Sequence, residues 1–316
     1  MQEESKNELM VTIRCLVYNH EPYIRQCLDG FVMQKTNFRF EAIVHDDAST
    51  DGTTTIIKEY ADKYPDIIKP ILETENQYSK KDGSINRIMN ELTHGKYIAL
   101  CEGDDYWTDP LKLQKQVDIL EHNHKIGLCY TKASIYVQKD NVFKNCHSKP
   151  YKGYKSILIS NPIMTLTTLF RKDLYFMYLH EIKPYSKNWL MGDYPLWLYL
   201  AAKSEIYFLP EKTAVYRYLE NSASHSSDLS KQEKFNQNII DIKHYFRDLF
   251  LPNTDLEKEW NDNFYRRNIR NGLDANNRLY CLKNLIKLPT KTFKDRIKII
   301  LFSFNISFNL YQKYHK

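Results

Sequence analysis

The sequence predicts an α/β fold with a mostly parallel central sheet, followed by a C-terminal helical extension. Three features point to it. The first 130 residues alternate apolar, β-branched runs with helical periods; those runs end in acidic, turn-rich segments; and from residue 230 the pattern becomes helical and increasingly basic. Strand–helix–strand repeats imply parallel strands joined by right-handed crossovers. In such sheets, ligands gather at the carboxyl ends of the strands.

The elements follow in order. MVTIRCLVY (10–18) reads as the first strand. After Pro22, the residues Ile24, Cys27, Leu28, Phe31 and Val32 fall on one helical face. FEAIVH (40–45) is a second strand, and the loop DDASTDG offers Ser, Thr and Asp as caps for a helix over 53–64. IIKPILE (67–73) is a third strand, whose Pro70 favours an edge position. Ile85, Ile88, Met89 and Leu92 form a further helix, with Gly95 as its expected C-cap. KYIALCE (96–102) is the fourth strand and runs straight into GDDYW. A helix opening at Pro110 and a strand over 126–138 follow. The middle of the chain predicts helices near 171–181 and 194–203 and two strands, 205–209 and 213–218. NSASHSSDLS (221–230) reads as a linker.

Composition narrows the function classes. With 316 residues and 42% hydrophobic content, a full core needs no disulfides. The six cysteines form no C-x-x-C pair, which predicts reduced thiols and a cytoplasmic location. The opening MQEESKNELM is polar and acidic, unlike a signal peptide. The net charge of +6 is concentrated at the end: residues 283–316 hold eight Lys or Arg and one acid, Asp295. The rest of the chain is therefore slightly acidic and offers no basic groove for nucleic acid.

Two carboxylate pairs stand out. Asp104-Asp105 directly follows the fourth strand, where adjacent acids can hold a divalent ion on a pyrophosphate; capping the helix near Pro110 is the simpler role. Asp46-Asp47 precedes Ser49, Asp51 and Gly52. That segment suits an Asx turn, and equally a carboxylate accepting from a nucleobase N–H with Ser49 beside it. Both pairs should meet at one edge of the sheet. Asp193, before the helix of Y-P-L-W-L, suits an N-cap or a general base. No two glycines stand as G-x-G, which excludes dinucleotide fingerprints and P-loops.

Taken together, Val17-Tyr18-Asn19, H-D-D-A-S-T-D-G-T, E-G-D-D-Y-W with Asp109-Pro110 and Leu113-Gln114, and G-D-Y-P-L-W ahead of Val215-Tyr216-Arg217 resemble glycosyltransferase family 2. The likeness runs from about Val11 to Arg217. It implies a GT-A fold and inverting transfer of a sugar from a nucleotide-diphosphate donor, best a UDP-sugar. The acceptor would be a glycan or a lipid-linked sugar, in bacterial surface polysaccharide synthesis. It implies that Tyr18, Asn19, Asp47 and Ser49 bind the nucleotide and that Asp104 lies beside the ribose. Asp105 would hold Mn²⁺ or Mg²⁺, and Asp193 would be the catalytic base. Two positions depart from the family pattern: Gly103 stands at the first acid of D-x-D, behind Glu102, and Gly192 precedes Asp193 where many members carry Glu.

The expected organisation is a transferase domain over 1–220, with a donor half (1–130) and an acceptor half (131–220), then a helical, basic extension over 221–316. Two other functions fit the pattern less well. A sugar-nucleotide nucleotidyltransferase wants a Gly-rich basic loop where Tyr18-Asn19-His20-Glu21 stands. A non-catalytic nucleotide- or glycan-binding protein needs no base. In the tail, four cations over 291–298 lead into IKIILFSFNISFNLY. Ile299, Ile300, Phe302, Phe304 and Phe308 either pack on the protein or on a second subunit, or rest on the inner face of the membrane.

Overall fold

The computed structural model of the chain describes residues 8–80, 82–144, 148–219 and 228–304, with 308 and 311. They form two compact units: residues up to 157 with 161–188 and 192–218, and residues 158–160 and 189–191 with the chain from 219 onward.

The larger unit begins with β1 (Leu9–Val17), α1 (Ile24–Val32), β2 (Arg39–Asp46), α2 (Thr53–Lys63), β3 (Ile68–Leu72), α3 (Ser84–Glu91) and β4 (Tyr97–Leu100). β1 pairs in parallel with both β2 and β4, and β2 with β3. β1 is central and covered on both faces, so its polar side chains must find partners. Thr12 Oγ1 donates to Glu41 Oε1 at 2.9 Å, and Arg14 Nη1 donates to Asn90 Oδ1 at 2.9 Å. Pro70 lies on β3, the outermost strand as expected, where a missing N–H leaves no gap in the ladder. Ile24, Cys27, Leu28 and Phe31 are the buried face of α1.

The sheet continues with β5 (Tyr106–Trp107), α4 (Lys112–His122), β6 (Ile126–Val137), β7 (Val142–Lys144), α5 (Tyr154–Ile159), β8 (Thr168–Arg171), α6 (Lys172–Ile182), α7 (Asp193–Lys203) and β9 (Glu205–Tyr218). Among the described residues the strand order is β3-β2-β1-β4-β8-β6-β9-β5, with β7 on β6. Six strands run one way, and β5, β7 and β8 run against them. The sheet is thus mostly parallel, as expected.

Several expectations about individual elements need correction. The strands read at 205–209 and 213–218 are one strand, β9, because the long β6 pairs along its whole length. Its register with β6 slips between Tyr130↔Phe208 and Lys132↔Lys212, so Pro210 sits in a bulge and costs no ladder bond. Gly95 does not cap α3, which ends at Glu91 with Leu92 as its C-cap. It allows close approach instead: a Cβ there would lie 2.5 Å from Thr12 N and 2.6 Å from Val11 C. The N-cap of α2 is Gly52, and Asp51 supports that end by accepting from Thr53 N–H at 3.0 Å. Pro110 precedes α4 rather than opening it, and Asp109, not Asp104-Asp105, serves that turn by accepting from Leu111 N–H at 2.9 Å.

The second unit contains α8 (Leu229–Phe250), α9 (Glu257–Asp274), α10 (Arg278–Lys287) and α11 (Phe293–Ser303). Three buried asparagines link the first three helices. Asn236 Nδ2 donates to Asn268 Oδ1 at 2.7 Å, and Asn268 Nδ2 donates to Asn284 Oδ1 at 3.2 Å. A capping box opens α11: Asp295 N–H donates to Thr292 Oγ1, and Thr292 N–H donates to Asp295 Oδ2. Phe302 and Phe308 are buried with Ile269, Cys281 and Leu285, and Ile299 packs against them, whereas Ile300 and Phe304 are exposed. Of the segment read as a linker, 221–227 lies outside the described residues. Cys146 also lies outside them; the five described cysteines are free.

In the larger unit, Lys112 is fully buried. Its Nζ donates to Gln116 Oε1 at 2.7 Å and lies 4.2 Å from the centre of the Trp107 ring. Gln116 Nε2 in turn donates to Cys129 O at 3.0 Å and Thr167 O at 2.9 Å. Burial pushes the Lys112 ammonium down to about 7, against the opposing pull of Cys101, Cys129 and Asp109. In the unfolded chain it titrates at about 10.4. Between those values Lys112 binds more protons in the unfolded chain, so its own contribution to folding stability rises with pH across that window. Burial raises the Cys101 and Cys129 thiols to about 11 and about 12, which keeps them neutral there. Urea unfolding of wild type and Lys112→Met at a series of pH values should show wild type gaining on the variant as pH rises from neutral towards the lysine's ordinary value. A constant difference would mean that the buried amine keeps its charge.

Candidate active site

Because β1, β2 and β4 are parallel, the loops leaving their C-terminal ends share one edge of the sheet. Two of those loops are laced together through main-chain N–H groups. Asn19 N–H donates to Ser49 Oγ at 2.8 Å, and Thr50 N–H donates to Asn19 Oδ1 at 2.8 Å. His20 N–H donates to Thr53 Oγ1 at 2.9 Å, and Gly52 N–H donates to Glu21 Oε2 at 2.8 Å. Asn19 and Ala48 take left-handed backbone angles, with φ of 54° and 62°. For Ala48, a residue with a Cβ, this stores strain of order 1 kcal/mol. Tyr18 is exposed at the end of β1.

The acids of β2 are buried and engaged. Asp46 accepts from Ser49 N–H at 3.1 Å and from Thr54 Oγ1 at 2.5 Å, which is the Asx turn expected from the sequence. Asp47 accepts from Gln77 N–H at 2.6 Å through one oxygen and from Tyr78 N–H at 3.1 Å through the other. Its carboxylate therefore holds the segment after β3. Each oxygen retains a further lone pair.

The third loop carries the acid cluster. Glu102, Asp104 and Asp105 each offer an oxygen, and these oxygens lie within 4.8 Å of one another. Gly103 N–H donates to Leu16 O at 3.1 Å, which pins the loop on β1. Asp105 is buried and accepts from Arg217 N–H at 2.7 Å. Burial, reinforced by the neighbouring charges of Asp104 and Glu102, holds the Asp105 carboxyl well above the usual carboxylate range. Burial, then the charges of Asp104 and Asp193, push Glu102 up to about 7. Glu102 keeps much of its surface open, so water screens part of that effect. His20 faces the same charges: burial pushes its imidazole below the ordinary value, against the pull of Asp104, Asp51 and Asp46. Its Nδ1 is buried without a hydrogen-bond partner among the described residues.

Asp193 is the first residue of α7, with Gly192 as N-cap. Its Oδ1 accepts from Tyr194 N–H at 2.7 Å and its Oδ2 from Thr165 Oγ1 at 2.8 Å. The positive end of α7 favours negative charge at this place. Glu102, Asp105 and Asp193 line one cavity of about 190 Å³, together with Ile163–Leu166 and Tyr216.

Of the residues singled out from sequence, the structure joins Asp105 with Asp193 across this cavity and Asn19 with Ser49 in the loop lacing. Tyr18, Asn19, Asp47, Ser49 and Asp104 are not part of the cavity wall. Three contributors carried no assigned role. Glu102 was visible only as the residue before Gly103, and Arg217 only as the end of Val215-Tyr216-Arg217. Thr165 left no mark, since one threonine among the three of N-P-I-M-T-L-T-T has no pattern to single it out.

A family profile described as Glycosyl transferase family 2 matches residues 15–190, more than half of the chain. An uncharacterized protein of Mycobacterium tuberculosis is 36% identical over 223 residues, 69% of this chain and 61% of that protein. The chain thus spans about 61% of that relative's length. The Escherichia coli protein named UDP-Glc:alpha-D-GlcNAc-diphosphoundecaprenol beta-1,3-glucosyltransferase WfaP is 28% identical over 201 residues, 61% of this chain and 71% of that one. Among solved structures, the mannosyltransferase PcManGT of Pyrobaculum calidifontis, in complex with GDP-Man and Mn²⁺, superposes with a TM-score of 0.56 over 98% of this chain and 88% of that one, at 16% identity. That likeness is one of fold, and the fold is GT-A. The chain belongs to glycosyltransferase family 2.

Proposed function

We propose that the protein is a metal-dependent, inverting glycosyltransferase. It moves a hexosyl or N-acetylhexosaminyl group from a UDP-sugar to a glycan or lipid-linked acceptor, on the cytoplasmic side, in bacterial surface polysaccharide synthesis. The observation that carries this reading is the cavity whose wall Glu102, Asp105 and Asp193 share; there the first two would hold a cation and the third would take a proton. The relative named for transfer from UDP-Glc to a diphosphoundecaprenol-linked sugar supports the choice of donor and acceptor. The neighbour solved with GDP-Man and Mn²⁺ supports the choice of cofactor. Family membership favours transfer over the nucleotidyltransferase alternative.

The donor set fits a divalent ion. Three carboxylates within 4.8 Å of one another are hard oxygen ligands of the kind Mg²⁺ and Mn²⁺ prefer. Asp105, held above the usual range by burial and by its acidic neighbours, is relieved by a cation. Asp105 would hold the ion, with Glu102 and Asp104 beside it. When bound, the ion supplies Lewis-acid neutralisation of the diphosphate leaving group. Asp104 meets the ribose, while Asp47, Ser49, Asn19 and Tyr18 receive the base from the laced loops.

Asp193 performs the proton transfer. Its Oδ1 and Oδ2 are oriented by Tyr194 N–H and Thr165 Oγ1, and each keeps a lone pair for the acceptor hydroxyl. As the acceptor oxygen bonds to the anomeric carbon, its proton passes to Asp193. The bond to the diphosphate oxygen breaks on the opposite face, so one displacement inverts the centre.

Asp193→Asn keeps the shape and the Oδ1 acceptor for Tyr194 N–H, sets an amide NH2 against Thr165 Oγ1, whose hydroxyl can accept in turn, and removes the basic group. In transfer assays its kcat should fall by about 100-fold or more, while UDP affinity by calorimetry stays near wild type. Near-normal turnover would pass the role to another acid, and unchanged binding with lost transfer separates an enzyme from a non-catalytic binding protein.

Asp105→Asn preserves acceptance from Arg217 N–H and lowers the charge. Calorimetry should show a Mn²⁺-dependent gain in UDP affinity for wild type and none for the variant. Equal UDP binding by both proteins in EDTA and in Mn²⁺ would remove the metal from the scheme.

Asp47→Ala should weaken UDP binding by about 1–3 kcal/mol, the range for losing a charged hydrogen bond. Unchanged affinity in a folded variant would leave Asp47 as the holder of Gln77 and Tyr78 alone.

A further inference from the structure

In the helical unit, α11 has two apolar faces. On one, Phe302 is buried with Ile269, Cys281 and Leu285, and Ile299 packs against the same cluster. On the other, Phe293, Ile297 and Ile300 recur at i, i+4 and i+7, which is one stripe along α11, and the exposed Phe304 follows as its C-cap. These four side chains are 78%, 40%, 63% and 65% exposed. α10 repeats the arrangement with Leu279 and Ile286, both exposed and seven residues apart, and exposed Lys283 between them. Scattered apolar residues on a surface need no explanation, but a continuous stripe of large ones does.

The charge around the stripe is one-sided. Residues 278–304 hold seven Lys or Arg and a single acid, Asp295. That acid is buried, and it accepts from Thr292 N–H at 2.9 Å and from Arg266 Nη2 at 3.2 Å. Lys283, Lys287, Lys291, Lys294 and Arg296 are all exposed. The charge that this segment presents to solvent is therefore cationic.

We propose that α10 and α11 form a docking surface for an anionic lipid bilayer. The Phe293–Phe304 stripe enters the headgroup region and the flanking lysines meet lipid phosphates. An apolar stripe with a basic margin complements such a surface in both respects. A second copy of the chain is the poorer occupant, because a two-fold contact through this stripe sets its cations against the same cations. α11 has 11 residues, and no described helix is long and apolar enough to cross a membrane, so the contact lies in the plane of the interface. The surface does not depend on the catalytic reading and can stand or fall without it.

The test is co-sedimentation of the full chain with phosphatidylglycerol-rich vesicles and with pure phosphatidylcholine vesicles. The full chain should pellet with the anionic vesicles and stay in solution with the neutral ones. Phe293→Ser/Ile300→Ser and, separately, Lys287→Glu/Lys294→Glu should each cut the bound fraction by about tenfold, with unchanged melting temperature and sedimentation coefficient. All four positions are exposed, so the folded unit tolerates these changes. A folded full chain that ignores anionic vesicles overturns the proposal, as does undiminished binding by either variant. A wild-type dimer that the serine variant splits into monomers, with no lipid binding by either, would assign the stripe to a second copy instead.

Discussion

Arg217 holds the acid loop in place, and the geometry of the candidate site depends on it. Its Nε donates to Asp104 O at 2.8 Å, its Nη1 to Gln138 Oε1 at 2.6 Å and its Nη2 to Gln26 Oε1 at 2.6 Å. Its own main-chain N–H reaches Asp105 Oδ1 at 2.7 Å. The guanidinium lies 4.8 Å from the centre of the Tyr23 ring, 5.3 Å from Tyr106 and 5.6 Å from Tyr136. One residue of β9 thereby ties together α1, the end of β6 and the loop after β4. A lysine cannot do this, because the tie needs a planar fork whose faces rest on aromatic rings while its edges donate. At 6% exposure the cation also offsets some of the negative charge gathered beside it. The pairing of Tyr106 with Val215 and Trp107 with Ala214 brings β9 into the register that delivers Arg217 to this point.

The offset is partial, and that is chemically useful. Asp105 stays above the usual carboxylate range even with Arg217 adjacent, because burial and two acidic neighbours outweigh the one cation. His20 adds little positive charge, since burial pushes its imidazole down despite three aspartates near it. A region that concentrates acids without matching cations is costly to fold, and sites that bind cations commonly bear that cost. The surrounding bonds resist collapse: the loops at 18–21 and 49–53 are laced through main-chain N–H groups, and Trp107 Nε1 donates to Leu166 O at 2.9 Å beside the cavity.

Legibility in the sequence followed the physics of each element. β1 and β2 were visible because buried parallel strands are long apolar runs, and α1 because Ile24, Cys27, Leu28 and Phe31 keep a helical period. β5 and β8, of two and four residues, are too short to show any period. β9 was cut at Pro210 because a bulge cannot be told from a break without the partner strand. Acids at strand ends were legible as a site, since strand direction alone places them. The partners of those acids were not, because they are tertiary. Thr165 meets Asp193 across 28 residues of sequence, and Arg217 meets Gln26 across 191.

The departure at Gly103 has a steric cause in the same packing. Its N–H bonds Leu16 O at 3.1 Å, which presses the chain against the end of β1. A Cβ at this position would lie 2.8 Å from His20 Nδ1 and 2.9 Å from Val17 Cγ2, so a side chain there requires these two to shift. The carboxylates stand on either side of the glycine instead: Glu102 before it, Asp104 and Asp105 after it, with oxygens converging within 4.8 Å. Glu102 and Asp105, on either side of Gly103 and Asp104, line one cavity with Asp193. Gly103 thus stands between the three carboxylates of the cluster, bonded to the end of β1.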